Sequence, residues 1–370
     1  MKMKAAVMTA VGKPVEIHQI DLGEPQSNEV LVKIHATGVC HSDLNTLHDS
    51  TSPVPQVLGH EGAGVVVKTG ENVTTCKAGD HVALSWVPYC GTCAYCASGK
   101  MHLCETVFGP MFAGTLPMGG TRMHLDGEVC YHSSMLSTFA EYAVVPERSC
   151  IKISDQMPFV PASMIGCGVA TGYGAAVHAA QVKPGDNVVI FGIGGVGINA
   201  IQGAKVAGAR RIIACDTKLE NLKTSRKFGA TDIVHIDGKT DVADMIRSRT
   251  SGLGANCAID ATGVPDVCAL AVASICKGGT VVVVGAYPSN GTIQLPAGGF
   301  HRLGKVIRGS FYGDVNPFHD FPRIAELYLA GRYNLDDLVI KKIKLDQINE
   351  AFDSFHDPNA NNVGRYVIEF

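Results

Sequence analysis

The sequence predicts an α/β protein of two domains, one β-rich and one a doubly wound parallel sheet, and three observations carry that expectation. At 370 residues the chain exceeds one ordinary core and suits two, at roughly 100 to 200 residues each. From residue 5 to about residue 148, short β-rich runs such as 29–34 and 64–68 are broken by Gly, Pro and Asp turns. From about residue 187 the rhythm changes. The runs 188–191, 211–215, 232–236, 257–260, 280–285 and 306–311 are separated by helical stretches such as 198–207, 219–228 and 242–249. Six strands with crossover helices make a doubly wound parallel sheet. A helical stretch over 320–329 and a last β-run over 365–370 follow.

Composition narrows the function. A hydrophobic share of 46%, 42 glycines and 18% charged residues describe a well-buried chain rich in turns. The formal net charge of -3 supplies no basic field for nucleic acid and no polybasic stretch for a membrane, so the expected partner is a small molecule. Apolar runs such as 281–284 are strand-sized, and no membrane span is expected. Residues 1–7 lack the charged-then-apolar layout of a secretory signal, which makes the cytoplasm the expected location. Thirteen cysteines there are reduced thiols or metal ligands before they are a disulfide framework.

Spacing decides which. Cys90, Cys93, Cys96 and Cys104 are separated by two, two and seven residues, with Gly91 and Gly99 to supply tight turns. Four thiolates at that pitch suit a closed tetrahedral zinc site. An iron–sulfur cluster also takes four cysteines, but neither ferredoxin spacing is matched. A second, open metal site has candidates in Gly38-Val39-Cys40-His41-Ser42-Asp43 and in Gly59-His60-Glu61, each a soft ligand beside a carboxylate.

A nucleotide site is expected where the run 188–191 enters Gly192-Ile193-Gly194-Gly195-Val196-Gly197 and then a helix. Such glycines give a tight turn, close approach to a pyrophosphate and close helix packing. Asp216 ends the next strand, placed to bind both adenosine ribose hydroxyls and to repel a 2′-phosphate, so NAD is expected over NADP.

Gly59-His60-Glu61 followed by Gly64, Gly70 and Val73, with Cys40 upstream, and Gly166-Cys167-Gly168 followed by Thr171-Gly172-Tyr173-Gly174, resemble the zinc-containing medium-chain alcohol dehydrogenases. The likeness runs from residue 5 to 370 and is of the long-chain, dimeric type, class III-like or bacterial aryl or alkyl. It implies a GroES-like catalytic domain over 1–168 and 312–370 with a zinc lobe at 88–105, a Rossmann domain over 169–311, and two zinc ions per subunit. By the same match Cys40, His60 and Cys167 hold the catalytic zinc, Asp43 orients His60, and Glu61 stands behind the metal. Ser42 would hydrogen-bond the reacting alcohol oxygen, and His41, Thr171 and Arg365 would contact the cofactor, His41 and Arg365 at its pyrophosphate. Zinc would act as a Lewis acid that lowers the alcohol's pKa, and NAD would take the hydride.

The sequence departs from the family at two places. Asn221 stands where a ribose-binding lysine is common, leaving Lys218 or Lys223 as substitutes. Asn45 stands where a proton-accepting histidine is common; an amide cannot take a proton near neutral pH, so His48 becomes the candidate acceptor. Trp86, Phe108, Met111 and residues 133–136 are expected pocket walls, suiting a primary alcohol with an aromatic or terpenoid body. Residues 110–136 would be the long insertion of dimeric members, with the edge near 306–309 pairing across a two-fold axis. A thiol-dependent formaldehyde dehydrogenase shares the fold, both zincs and the chain length, and wants basic residues at the cleft mouth for its carboxylate-bearing adduct. A non-catalytic zinc and nucleotide-binding protein fits less well, because a binding module has no use for an open metal position beside Ser42.

Overall fold

The computed structural model describes residues 1–298, 300–357 and 363–370. The chain forms two compact units, one from Met1–Cys167 and the C-terminal segment beginning at Asn316, the other from Gly168–Val315.

The first unit is organised by one long strand, Glu29–Val39, whose Val, Leu and Ile side chains are buried along most of its length. It pairs antiparallel with Glu61–Thr69, with Tyr142–Pro146 and with the C-terminal strand Arg365–Glu369. These strands, with Cys150–Lys152, His81–Leu84 and Val339–Ile343, make a seven-stranded sheet. The strands Lys2–Met8, Glu16–Leu22, Met123–Leu125, Glu128–His132 and Gln56–Val57 close into a small barrel. Register positions the chemistry: Gly38 lies opposite Glu61 and Val39 opposite Tyr366. Cys40, Glu61 and Arg365 therefore meet at one end of the sheet.

The stretch 110–136 contains the end of the helix Glu105–Ala113 and the two barrel strands Met123–Leu125 and Glu128–His132. Its anchor is an ion pair. Arg122 donates through Nε and Nη2 to the two oxygens of Glu29, at 2.8 and 2.7 Å, and both side chains are buried.

The second unit is a six-stranded sheet in the order Asp232–His235, Arg211–Asp216, Asn187–Phe191, Ala255–Asp260, Ile275–Val283 and Val306–Gly309, every pair parallel. All five residues of Asn187–Phe191 are buried, as a central parallel strand covered on both faces requires. The expected run 280–285 is the latter part of a strand that starts at Ile275, and 306–311 stops at Gly309. A helix at Pro265–Ser274 left no periodic signal, because PDVCALAVAS is apolar on nearly every face; its proline sits in the first turn, where no N–H is missed.

One expectation is corrected. The apolar runs are not all strand-sized: Phe159–Ala179 is a continuous helical run of 21 residues, long and apolar enough to cross a bilayer. It is 89% buried, which marks a core helix. Its five glycine and proline positions interrupt the apolar pattern and hide it from a reading by runs. Two π-helical turns, Ile165–Val169 and Ala175–Ala179, interrupt its α-helical hydrogen bonding.

Removing the Arg122 guanidinium leaves the buried Glu29 carboxylate without its cation. Arg122→Ala is expected to cost about 3 kcal/mol or more of stability, as broken buried pairs do. Chemical unfolding monitored by the tryptophan and tyrosine emission of the first unit would show it as a lowered midpoint.

Candidate active site and metal centres

The four-cysteine lobe is a knot of backbone N–H to sulfur bonds. Cys90 Sγ accepts from the N–H of Thr92 at 3.4 Å and of Cys93 at 3.3 Å, Cys93 Sγ from Cys96 at 3.5 Å, and Cys104 Sγ from Cys90 at 3.3 Å. Gly91 and Gly99 each turn the chain at a φ of +80°, a conformation that favours glycine. The four sulfurs lie within 4.8 Å of one another, and Cys90 to Cys96 is 3.9 Å. Tetrahedral zinc with bonds of about 2.3 Å spaces its sulfurs by roughly 3.8 Å, so the donor set fits that ion. The hydrogen bonds from Thr92 and Cys93 bring the Cys90 thiol down to about 5, while burial and the adjacent thiols push Cys96 up to about 12. All four are free thiols rather than disulfides.

The second cluster is Cys40, His60, Glu61 and Cys167, whose donor atoms also lie within 4.8 Å of one another. Cys40 ends the central strand and caps the helix His41–His48. Asp43, at that helix's third position, is buried and binds three groups: Oδ2 accepts from Cys40 N–H at 2.9 Å, and Oδ1 accepts from Gly59 N–H at 3.2 Å and lies 2.8 Å from His60 Nδ1. With Nδ1 held there, Nε2 turns toward the sulfurs. Ser42 Oγ is 3.1 Å from that Nε2 and 3.2 Å from Cys40 Sγ. Cys167 arrives on the π-helical turn, which presses Gly166 so close to Leu84 that a Cβ would lie 2.3 Å from its carbonyl oxygen.

Behind the cluster, Arg365 Nε donates to both oxygens of the fully buried Glu61 at 3.0 Å, and its Nη2 reaches Cys40 Sγ at 3.4 Å. Burial raises the Glu61 carboxyl to about 7, against the opposing pull of Arg365. A hydrogen bond from Cys167 and the charge of Arg365 hold Cys40 well below an ordinary thiol despite its burial, and Cys167 is correspondingly raised. His60 is desolvated, which works against its protonation, yet the Asp43 carboxylate raises it above the usual imidazole range. Two thiols, an imidazole and a carboxylate with one proton-poor sulfur already favoured suit a divalent borderline-soft cation.

Several expected residues stand elsewhere. Arg365, expected on the pyrophosphate, is committed to Glu61 and Cys40. The two are 304 positions apart, and their meeting follows from strand pairing that no local motif announces. His41 is exposed, with its ring edge-on to Phe355 at 5.4 Å. His48 is exposed at the far end of its helix, its ring 6.1 Å from that of His356, and the structure does not bring it to the metal cluster. Of the expected walls, Trp86 lies edge-on to His60 at 6.4 Å. Met135 and Leu136 are instead fully buried core residues, and Met111 packs against the same core as Met135. Phe108 stacks on the exposed Phe112.

In the second unit, the strand Asn187–Phe191 turns at Gly192, whose φ is +83°, and enters the helix Gly195–Val206 capped by Gly194. A Cβ on Gly197 would lie 1.9 Å from the Gly192 carbonyl oxygen, and Gly194 has nothing within 4 Å, so one glycine closes the turn and the other leaves its outer side open. The first helical turn, Gly195 and Val196 included, aims its N–H groups at that opening. The buried Thr171 stands on the helix Ala170–Gly174, whose Gly172 packs on Val196. Asp216 is not idle: its carboxylate accepts from Ile193 N–H and Lys218 N–H, both at 2.7 Å, and from Asn221 Nδ2 at 3.3 Å. Asn221 thus braces the acid, while Lys223 is paired with Glu220 at 2.6 Å.

Sequence families agree with this geometry. Residues 26–155 match the alcohol dehydrogenase GroES-like domain and residues 195–330 the zinc-binding dehydrogenase domain. The chain belongs to the zinc-containing medium-chain alcohol dehydrogenase family, and it is an NAD-dependent, zinc-dependent alcohol oxidoreductase. It is 41% identical over 362 residues to the NDMA-dependent alcohol dehydrogenase of Amycolatopsis methanolica, covering 96% of both chains. It is 40% identical over 361 residues to an S-(hydroxymethyl)glutathione dehydrogenase of Escherichia coli, covering 96% of this chain and 97% of that one. The crystal structure of benzyl alcohol dehydrogenase from Acinetobacter calcoaceticus superposes with a TM-score of 0.92 at 34% identity, over 100% of this chain and 99% of that one.

Because Asp216 both faces the opening and braces Ile193, its loss has two expected effects. Asp216→Gly should raise the ratio of NADP to NAD efficiency by roughly tenfold or more, since a like charge is removed, and should lower the melting temperature of the nucleotide-free enzyme. Initial rates with both cofactors read the first effect; an unchanged ratio would take Asp216 off the ribose.

Proposed function

We propose that this enzyme oxidises primary alcohols with an aromatic or terpenoid body to aldehydes, with the cluster of Cys40, His60 and Cys167 as its catalytic zinc site and the lobe of Cys90, Cys93, Cys96 and Cys104 as its structural one. The observation that carries the assignment is the convergence of Cys40, His60, Glu61 and Cys167 beside the Ser42 hydroxyl. When bound, zinc supplies Lewis acidity toward the alcohol oxygen and NAD accepts the hydride. Asp43 holds the His60 ring by Nδ1 so that Nε2 is the ligand atom. At the back of the cluster Arg365 holds the Glu61 carboxyl by two hydrogen bonds and favours the thiolate of Cys40. Ser42, exposed on its outer side, is the group that takes the alcohol's proton into a hydrogen bond and passes it to solvent. His48 lies six positions beyond Ser42 on the helix His41–His48, and exposed Asn45 can hydrogen-bond but cannot take up a proton, so the proton leaves through solvent. Trp86 gives the aromatic body a face to lie against. Gly192, Gly194, Gly195, Val196, Gly197, Thr171 and Asp216 hold NAD.

A homodimer is part of the proposal. Among the described residues the strand Val306–Gly309 ends the parallel sheet and pairs only with Ile275–Val283, and Val306 is exposed there. Light scattering measures the mass directly.

Metal analysis should give close to two zinc ions per chain, and Cys167→Ala should remove one ion and the activity while the far-ultraviolet circular dichroism stays unchanged. A parent value near one would break the two-site assignment.

A second reading, oxidation of a formaldehyde–thiol adduct, is favoured by the likeness to the Escherichia coli relative named for that adduct. Initial rates on a panel of alcohols of different length and branching, and on formaldehyde with and without glutathione or mycothiol, separate the two. Benzyl-type alcohols are expected to give the highest kcat/KM, with no thiol requirement; a rate seen only with formaldehyde and thiol together would replace the first reading by the second.

A further inference from the structure

Beside the four-cysteine lobe, in the first unit, lies a half-open cavity of about 310 Å³. That is the lower end of the range for small-molecule pockets. None of Cys40, His60, Glu61 and Cys167 lines it. Its walls come from segments far apart in sequence and include the apolar Pro88, Tyr89, Val107, Pro117, Met118 and Pro146. At one side stands Arg148. Its guanidinium carbon lies 5.3 Å from the centre of the Tyr89 ring and 5.7 Å from that of Phe318, and the two rings meet edge to face at 6.0 Å.

Stacking fixes the plane of a guanidinium but leaves its N–H donors unused, because they point outward in that plane. Among the described residues no carboxylate pairs with Arg148. The two acids on the wall are occupied otherwise. Glu29 is held by Arg122 at 2.7 and 2.8 Å, and Glu147 accepts from the backbone N–H groups of Thr74 and Thr75 at 2.7 and 2.9 Å. A pre-oriented cation fork therefore opens on a partly apolar chamber whose two acids are bound to other groups.

We propose that this cavity binds a small monocarboxylate with an apolar body, its carboxylate on the Arg148 fork and its body against Val107, Pro117 and Met118. The planar fork matches a carboxylate bidentately. A phosphate dianion is the poorer guest, since one cation would face it while Glu29 and Glu147 carry like charge into the same walls. The cavity wall also includes Cys90, so an occupant lies directly against the sulfur lobe.

The test is isothermal titration of the zinc-loaded, nucleotide-free enzyme with benzoate, in the presence of saturating benzyl alcohol to cover the alcohol site, with benzamide and inorganic phosphate as comparison ligands. Saturable benzoate binding in the millimolar range or tighter is expected, with benzamide and phosphate at least about tenfold weaker. Arg148→Ala should weaken benzoate by about tenfold or more, and Arg148→Lys should recover only part of it, while both variants keep the parent's kcat for alcohol. Absence of saturable benzoate binding, equal binding of benzamide, or unchanged affinity in Arg148→Ala would each overturn the proposal. Tighter binding of phosphate than of benzoate would overturn its carboxylate choice.

Discussion

One carboxylate, that of Asp43, holds the catalytic end of the first unit together. Its two oxygens meet the N–H groups of Cys40 and Gly59 and the Nδ1 of His60, so a single buried side chain joins the strand end, the loop before the second strand and the ring of a ligand. A buried carboxylate without such partners would be costly, and with them it becomes a fixed point. It also chooses the histidine's tautomer, because only Nε2 remains to face the sulfurs. The helix that carries Asp43 has eight residues, and its cap is the first sulfur of the cluster. Capping a helix and aiming a ligand are here one act.

The charges around that point are arranged in depth. Ser42 and the solvent lie in front, the sulfurs and His60 in the middle, and Glu61 with Arg365 behind. The rear pair is built from the register of three strands around Glu29–Val39, with Gly38 opposite Glu61 and Val39 opposite Tyr366. Arg365 bonds both the Glu61 carboxyl and the Cys40 sulfur, which lets two acidic groups sit within reach of each other away from water. The C-terminal strand is thus an electrostatic part of the centre as well as a sheet member.

Much of this was legible in the sequence because its signals are local. The four cysteines, the glycine turn after a buried strand, and Asp216 at the next strand end are each set by short-range geometry, and the alternation of strands and helices from residue 187 onward follows from hydrophobic period. What was not legible depends on distance or on masking. Arg365 reads as a pyrophosphate contact until the strand Arg365–Glu369 is laid beside Thr37 and Gly38. Met135 and Leu136 read as pocket walls, yet the backbone of Ser134, Met135 and Ser137 adopts positive φ values of 50, 61 and 58° and folds those two apolar side chains into the core. Asn221 looks like the loss of a ribose contact and proves to be a donor to Asp216. The run Phe159–Ala179 was hidden by its own glycines, which it needs where it touches neighbouring backbone.

The π-helical turn at Ile165–Val169 has a bearing on how this chain can vary. Such a turn holds one residue more than an α-helical turn of the same span, and that surplus sets the azimuth at which Cys167 leaves the helix axis. Deleting a single residue there would restore regular winding and rotate everything on one side by about 100° relative to the other. The length of the segment 165–169 is therefore fixed by geometry rather than by the identity of any side chain, and natural or designed relatives that shorten it must find their second sulfur elsewhere.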